Sequence, residues 1–412
     1  MRNSSYTEYR LVVIKLVDVV ARAAFVLTAT FSLPITDAGR FGLIVTLVGI
    51  FAFVFNFERH IDIQRRAAGE GPAVFDRHVT QALKFFAFNW IIMIPVFVLA
   101  IALWAEASPW MLSLAVMIVL GEHLSNQAYQ YAMIDSRYQR LLSFVAAKNA
   151  ALAIAVLWHL LILRGRINLE SILEIWALGA VLCTLSLGVS FAKLNSSSSR
   201  KSAFGLRIDI FGQHRASMTH FGIGLLAILI LQFDRLVVGG LMSFAETGRY
   251  YRHTLLVSLA YQAFGIASFN RISPSVFADS KTMKIPQLNL RVQQEYRKTV
   301  IGAPLLLFAA WCVDVFTDGT LFKRLDLEIG LMGVLLLGFM LRARADFYGL
   351  VLNSLHRERE VLVSQTAAFL VAGALLIALT WWIGVYGAAA STVVAASVYM
   401  FLVRRSLLVT QS

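Results

Sequence analysis

The sequence predicts an all-α, polytopic membrane protein with about twelve transmembrane helices in two six-helix lobes. Composition is the first reason. Of 412 residues, 58% are hydrophobic and 15% charged, against about 45–50% apolar and about 25% charged in soluble domains. Mean hydropathy is +0.70. The second reason is the spacing of apolar runs, and the third is an internal repeat. A span needs about 20 apolar residues, so twelve of them use roughly 240. The remainder holds no stretch long enough for a separate soluble catalytic domain, which excludes a soluble enzyme and a single-pass receptor. Cys183 and Cys312 both lie in apolar runs, so neither a disulfide framework nor a zinc site is indicated.

In chain order, the spans are expected at 11–33, 41–57, 84–105, 109–133, 141–163 and 171–194, then at 217–242, 251–269, 299–317, 329–355, 361–385 and 386–403. The first run lacks a short apolar core ending at a small-residue cleavage site, so it reads as a retained span rather than a signal peptide. With both termini on the same side, 24 of the 37 Lys and Arg residues fall in the loops and termini of that side and 7 on the other. The positive-inside rule makes that side cytoplasmic. It also explains a pI near 10.0 without nucleic acid, since basic loops face anionic lipid headgroups.

The repeat divides the chain. Asp37-Ala38-Gly39-Arg40-Phe41 follows the first span and Glu246-Thr247-Gly248-Arg249-Tyr250 the seventh, at an offset of 209. A weaker echo joins the ends of spans four and ten. There, Tyr129 to Arg140 and Tyr348 to Arg359 run alike at an offset of 219. Six spans per half is an even number, so the halves enter the membrane from the same side. That predicts parallel repeats about an axis along the membrane normal, with a site between them. The expected domains are an N-terminal lobe at 1–195, a cytoplasmic linker at 196–216 and a C-terminal lobe at 217–412. The linker contains the flexible run Ser196-Ser197-Ser198-Ser199. Beyond it, Phe204, Ile208 and Phe211 have the spacing of a short interfacial helix, or of a plain connector.

Ionisable residues inside the spans are the informative ones, because each costs about 2.5–3.5 kcal/mol at the bilayer centre and must face protein or a wet cavity. Span one holds Asp18 and Arg22, four apart; span ten holds Arg342 and Asp346, again four apart, with Arg344 on another face. Glu122, His123 and Asn126 lie in span four, and Lys148 with Asn149 in span five. Span seven carries Gln232, Asp234 and Arg235; span eight carries Arg252, His253 and Gln262. A structural account competes at each position. Asp18–Arg22 and Arg342–Asp346 are candidate intrahelical ion pairs, Lys148 can neutralise Glu122, and Arg235, Arg252 and Glu174 can snorkel to the interface. The basic residues within spans outnumber the deep acids by one, so the interior is mixed with a weak cationic bias. No Walker lysine, metal box or nucleophile elbow occurs, and Gly222-Ile223-Gly224 lies within a span. No enzyme activity and no cofactor is expected, and transport would run on an ion gradient or on the substrate's own gradient.

Leu231-Gln232-Phe233-Asp234-Arg235-Leu236-Val237-Val238-Gly239-Gly240, followed by Glu246 to Tyr250, resembles the seventh-span signature of polysaccharide flippases. These form a branch of the multidrug/oligosaccharidyl-lipid/polysaccharide (MOP) exporter superfamily. Pro34 to Gly42 looks like the same family's first loop. The resemblance implies a transporter flipping lipid-diphosphate-linked oligosaccharides across the bacterial inner membrane for surface or exopolysaccharide assembly. Its implied partners are that substrate, membrane lipids, and polysaccharide polymerase and chain-length machinery. The family's cavity is lined by spans one, two, seven and eight. By position this favours Arg22, Arg235, Arg252 and Gln262 for substrate, with Arg342 from span ten. Asp18, Asp234, Asp346, Glu122 and Lys148 are then counter-charges or ion-coupling groups. The competing readings are an ion-coupled drug or cation antiporter of the same superfamily, and a non-transporting partner in a polysaccharide synthesis complex. A membrane-embedded glycan polymerase fits poorly, because the longest outward connection, 318–328, is too short for a catalytic loop.

Overall fold

The computed structural model describes residues 2–59, 63, 72–161, 167–197, 210–280, 282–316, 323 and 325–411. Twelve long helices succeed one another among them. They are α1 (Arg2–Ser32), α2 (Ile35–Asn56), α3 (Pro72–Ala105), α4 (Pro109–Ile134), α5 (Gln139–Leu161) and α6 (Leu169–Ser197), then α7 (Ile210–Leu241), α8 (Phe244–Asp279), α9 (Ile285–Phe316), α10 (Ile329–Ser354), α11 (Glu358–Ile383) and α12 (Val385–Gln411). A single 3₁₀ turn, Ser136–Tyr138, separates α4 from α5. No strand occurs among the described residues. Each predicted span falls on one helix, in order, and the chain is a polytopic all-α membrane protein.

Local chemistry sets several of these boundaries. Ser108 caps α4 by accepting the Met111 N–H at 3.3 Å, and Pro109 takes the first helical position, where its missing N–H costs nothing. The last two helices are joined by Gly384 alone, at φ +64° and ψ −142°, a backbone region that only glycine occupies without strain. Among the described residues, seven helices are apolar and long enough to cross a membrane by composition. The other five are α1, α4, α8, α9 and α10, and four of them carry charges of the site described below.

The structure departs from the sequence reading between spans eight and nine. Residues 271–298 were expected as a loop, but α8 runs on to Asp279 and α9 begins at Ile285. Hydropathy registers only the apolar part of a helix. At 1.5 Å per residue a helix of 36 residues outruns the roughly 30 Å hydrocarbon core, and its charged end continues into water. The α3 helix likewise starts twelve residues before its apolar run, at Pro72. The predicted linker lies outside the described residues from 198 to 209, and α7 begins at Ile210.

Two compact units divide the chain, Met1–Phe221 and Gly222–Ser412. The division lies inside α7. In the first unit, Phe221 stacks on Phe57 with centroids 3.9 Å apart, and His214 meets Asn89 at 3.2 Å. Part of the internal wiring recurs in both units. Packing joins α2 to α3, α2 to α4, α4 to α6 and α5 to α6 in the first; α8 to α9, α8 to α10, α10 to α12 and α11 to α12 are joined in the second. The duplicated motif does the same work in both. Arg40 reaches Asp37 (3.9 Å) and Glu106 (3.5 Å), the latter in the connection before α4. Arg249 reaches Glu246 (3.5 Å) and Asp326 (3.2 Å), the latter in the connection before α10. A proline inside the third helix of each half, Pro95 in α3 and Pro304 in α9, keeps the offset of 209. The outer faces are apolar: Ile91 (75% exposed), Leu161 (70%) and Leu370 (65%) suit lipid rather than water. Trp381 and Trp382, at the end of α11, have the exposure of an interfacial aromatic belt.

Candidate functional site

In the first unit, α1, α4, α5 and α6 bring their polar residues to one buried cluster. Glu122 on α4 is its hub. It accepts from Lys148 Nζ at 2.7 Å and from Trp176 Nε1 at 2.9 Å, and faces Arg22 Nη1 at 3.5 Å. Lys148 also donates to Ser125 Oγ at 3.3 Å. The predicted Lys148–Glu122 pair is therefore present, with both side chains almost fully buried. The predicted Asp18–Arg22 pair is not. Asp18 binds Lys15 Nζ at 3.0 Å, one turn back, and accepts from Asn149 on α5. The longer arm of Arg22 crosses to Glu122 instead. Lys15 lies 3.9 Å above the Tyr129 ring. The space lined by this cluster is about 30 Å3, room for a water or two. His123 is an interior group here: Trp90 Nε1 donates to its Nδ1 at 3.0 Å, and Phe86 and Phe55 close on the ring edge-to-face.

The second unit is built more openly. Arg342 Nε donates to Asp346 Oδ1 and Oδ2 at 3.0 and 3.2 Å, so the predicted pair on α10 is made. The Arg342 guanidinium stacks 4.6 Å from the Tyr399 ring of α12, and Tyr261 of α8 donates to Asp346 Oδ2 at 3.3 Å. Gln365 of α11 donates to the Tyr399 hydroxyl at 3.3 Å. These groups line a cavity of about 310 Å3, whose remaining wall is largely apolar and which Asn353 also reaches. Arg344 faces elsewhere, towards the rings of Tyr296 and Tyr348.

A third group sits where α7 meets α8. Asp234 is buried and accepts the Arg235 backbone N–H at 2.8 Å and the Tyr250 hydroxyl. The Arg235 guanidinium lies 5.5 Å from the Tyr251 ring. Arg252 is buried and donates to the Leu325 carbonyl at 3.5 Å. His253 is held neutral in one tautomer: Nδ1 donates to the Arg249 carbonyl at 2.7 Å while Nε2 accepts the Glu328 N–H at 2.6 Å. The side chain of Gln262 lies outside the described residues. The predicted site residues thus form three separate groups, with Arg22, Asp18, Glu122 and Lys148 in the first, Arg342 and Asp346 in the second, and Asp234, Arg235 and Arg252 in the third.

The fold resembles that of known membrane transporters. Against the eukaryotic MATE transporter AtDTX14 the TM-score is 0.60 at 15% identity, covering 99% of this chain and 96% of that one. Against the lipid II flippase MurJ in its inward closed conformation it is 0.70 at 13% identity, covering 96% and 87%. No family model and no curated protein matches the sequence. At such identities the likeness is one of fold, and what each side chain does rests on its own surroundings.

Several lining residues were not singled out from sequence. Gln365, Tyr261, Tyr399 and Asn353 frame the second-unit cavity. Only Gln365 left a usable trace, as an amide two turns into the apolar helix Glu358–Ile383. Tyrosine inside a span is common enough to carry no signal, and Asn353 sits near the end of its helix, where polar residues are expected.

Proposed function

We propose that the protein is a MOP-superfamily transporter that flips a lipid-diphosphate-linked oligosaccharide across the bacterial inner membrane, with both termini cytoplasmic and by alternating access. The observation that carries this reading is the state of the interior acids. Asp18 is held by Lys15, Glu122 by Lys148 and Arg22, and Asp346 by Arg342. An antiporter of cations needs a buried carboxylate open to its cargo or coupling ion; these three already hold fixed cations. Guanidinium edges, by contrast, remain available. The Arg22 side chain is 44% exposed, and a diphosphate crossing a low-dielectric region needs a donor that stays protonated and can grip two oxygens. The fold supports transport, and the amount of fixed positive charge supports an anionic head.

The antiporter reading keeps one observation in its favour. Asp234, met by the Tyr250 hydroxyl and a backbone N–H, lines a small cavity with Ser391 and Thr392. Proteoliposomes separate the two readings. A fluorescent polyprenyl-diphosphate oligosaccharide should become accessible in the opposite leaflet only when the protein is present. Vesicles that leave this lipid in place but exchange a cationic dye for sodium or protons would replace the flippase with the antiporter.

A further inference from the structure

We infer that the 310 Å3 cavity inside the second unit is a subsite for one neutral, hydroxyl-bearing ring, that is, a single sugar of the oligosaccharide, and not for the diphosphate. Its size lies at the lower end for ligand pockets, about 300–1,000 Å3. Three polar atoms in its lining are buried without a hydrogen-bond partner: Arg342 Nη1, Gln365 Oε1 and Asn353 Oδ1. Arg342 and Gln365 are each only 2% exposed. Buried polar groups of native proteins are normally satisfied, so orphans gathered on the residues that line one cavity point to what it receives. The set contains one strong donor and two acceptors. A cation would meet Arg342. An anion would meet the Asp346 carboxylate and two carbonyl-type oxygens. A hydroxyl group both donates and accepts, so neighbouring hydroxyls of one ring satisfy all three. The apolar remainder of the wall suits the C–H face of such a ring. Tyr399 holds the arrangement in place, taking the Gln365 hydrogen bond and the Arg342 stacking contact together.

The inference rests on the proposed function only for the origin of the sugar, and its test is independent of transport. Full-length protein in detergent is probed by saturation-transfer NMR with free hexoses, 6-deoxyhexoses and N-acetylhexosamines. At least one should receive saturation from the wild type. Gln365→Leu, Asn353→Leu and the cavity-filling Ala227→Phe, each retaining a monodisperse elution profile, should weaken it about ten-fold, the effect of one hydrogen bond left unmade at a buried partner. Inorganic pyrophosphate should leave the signal unchanged. Absence of transfer from every sugar, transfer that survives in all the folded variants, or displacement by pyrophosphate would each overturn the assignment. Sugar binding in a protein that moves no lipid would instead retire the flippase and leave the subsite standing.

Discussion

Glu122 offers a sharp test of what the first-unit cluster is for, because its two cations differ in burial. The Lys148 side chain is 2% exposed and that of Arg22 44%. Replacing Lys148 by Met keeps most of its volume but leaves the Glu122 carboxylate buried with Trp176 and a guanidinium 3.5 Å away. Breaking a buried pair on one side costs about 3–5 kcal/mol. Replacing Arg22 by Gln removes a longer, half-exposed contact of the kind worth about 0–1 kcal/mol. The double change Glu122→Gln with Lys148→Met leaves no uncompensated charge in the buried part of the cluster, only the half-exposed Arg22 without its carboxylate, and most of the loss should return. Thermal stability in detergent and abundance in membranes should therefore rank wild type, Arg22→Gln, the double variant and then Lys148→Met. Lipid flipping should break that order: Arg22→Gln should be present in normal amount yet transport poorly, and Arg22→Lys should recover part of the activity. If Lys148→Met is as stable as wild type, or the double variant no better than the single, the cluster is not the buried anchor described here. If Arg22→Gln flips lipid at the wild-type rate, Arg22 has no part in gripping the substrate.

Other expectations follow from single positions. Gly384→Ala, at φ +64° between α11 and α12, should lower stability by about 1–3 kcal/mol, readable as a lower melting temperature in detergent; an unchanged value would mean the turn relaxes freely. Burial pushes the Glu58 carboxyl up to about 7. Its folded form thus binds a proton more tightly than the unfolded chain, and stability should fall as pH rises from about 4.5 to 7. Glu58→Gln should flatten that decline, and an identical pH profile would remove Glu58 from it. Single cysteines at Ser171 and Ser243, in a chain lacking Cys183 and Cys312, should react with an impermeant thiol reagent from outside. One at Ser280 should react only after permeabilisation, and the reverse pattern would invert the membrane orientation.

The fold was legible because a membrane constrains a sequence so strongly. Twelve apolar runs correspond to twelve helices. The helix ends were not legible at 271–298, since helices carry on past the hydrocarbon once charged residues are solvated. The site was half legible. Pairs such as Lys148–Glu122 and Arg342–Asp346 follow from proximity along or between neighbouring helices. Asp18 shows the limit. Lys15 and Arg22 both share its face, at three and four positions, and spacing cannot choose between them. The choice is made by Glu122, on another helix, which draws Arg22 away.

The echo between spans four and ten explains why the two units differ in openness. At the offset of 219 that relates Tyr129 to Tyr348, His123 corresponds to Arg342 and Gln127 to Asp346. Both pairs are four apart on equivalent helices, and in both the members touch: Gln127 lies 3.3 Å from His123, and Asp346 3.0 Å from Arg342. The neutral pair is sealed by Phe55, Phe86 and Trp90. The charged pair stands at the wall of the 310 Å3 cavity. A neutral ring can be enclosed without penalty, whereas a guanidinium with an unmet N–H needs a polar guest or water beside it. Exchanging the pair tests this account. Arg342→His together with Asp346→Gln removes both charges at once, so the second unit should still fold and elute as wild type does. It should lose the sugar signal. A double variant that binds sugar as the wild type does would show that the cavity owes its specificity to Gln365 and Asn353 alone. Failure to fold, with the single Arg342→Met variant folding normally, would show that the charges serve the architecture and not the guest.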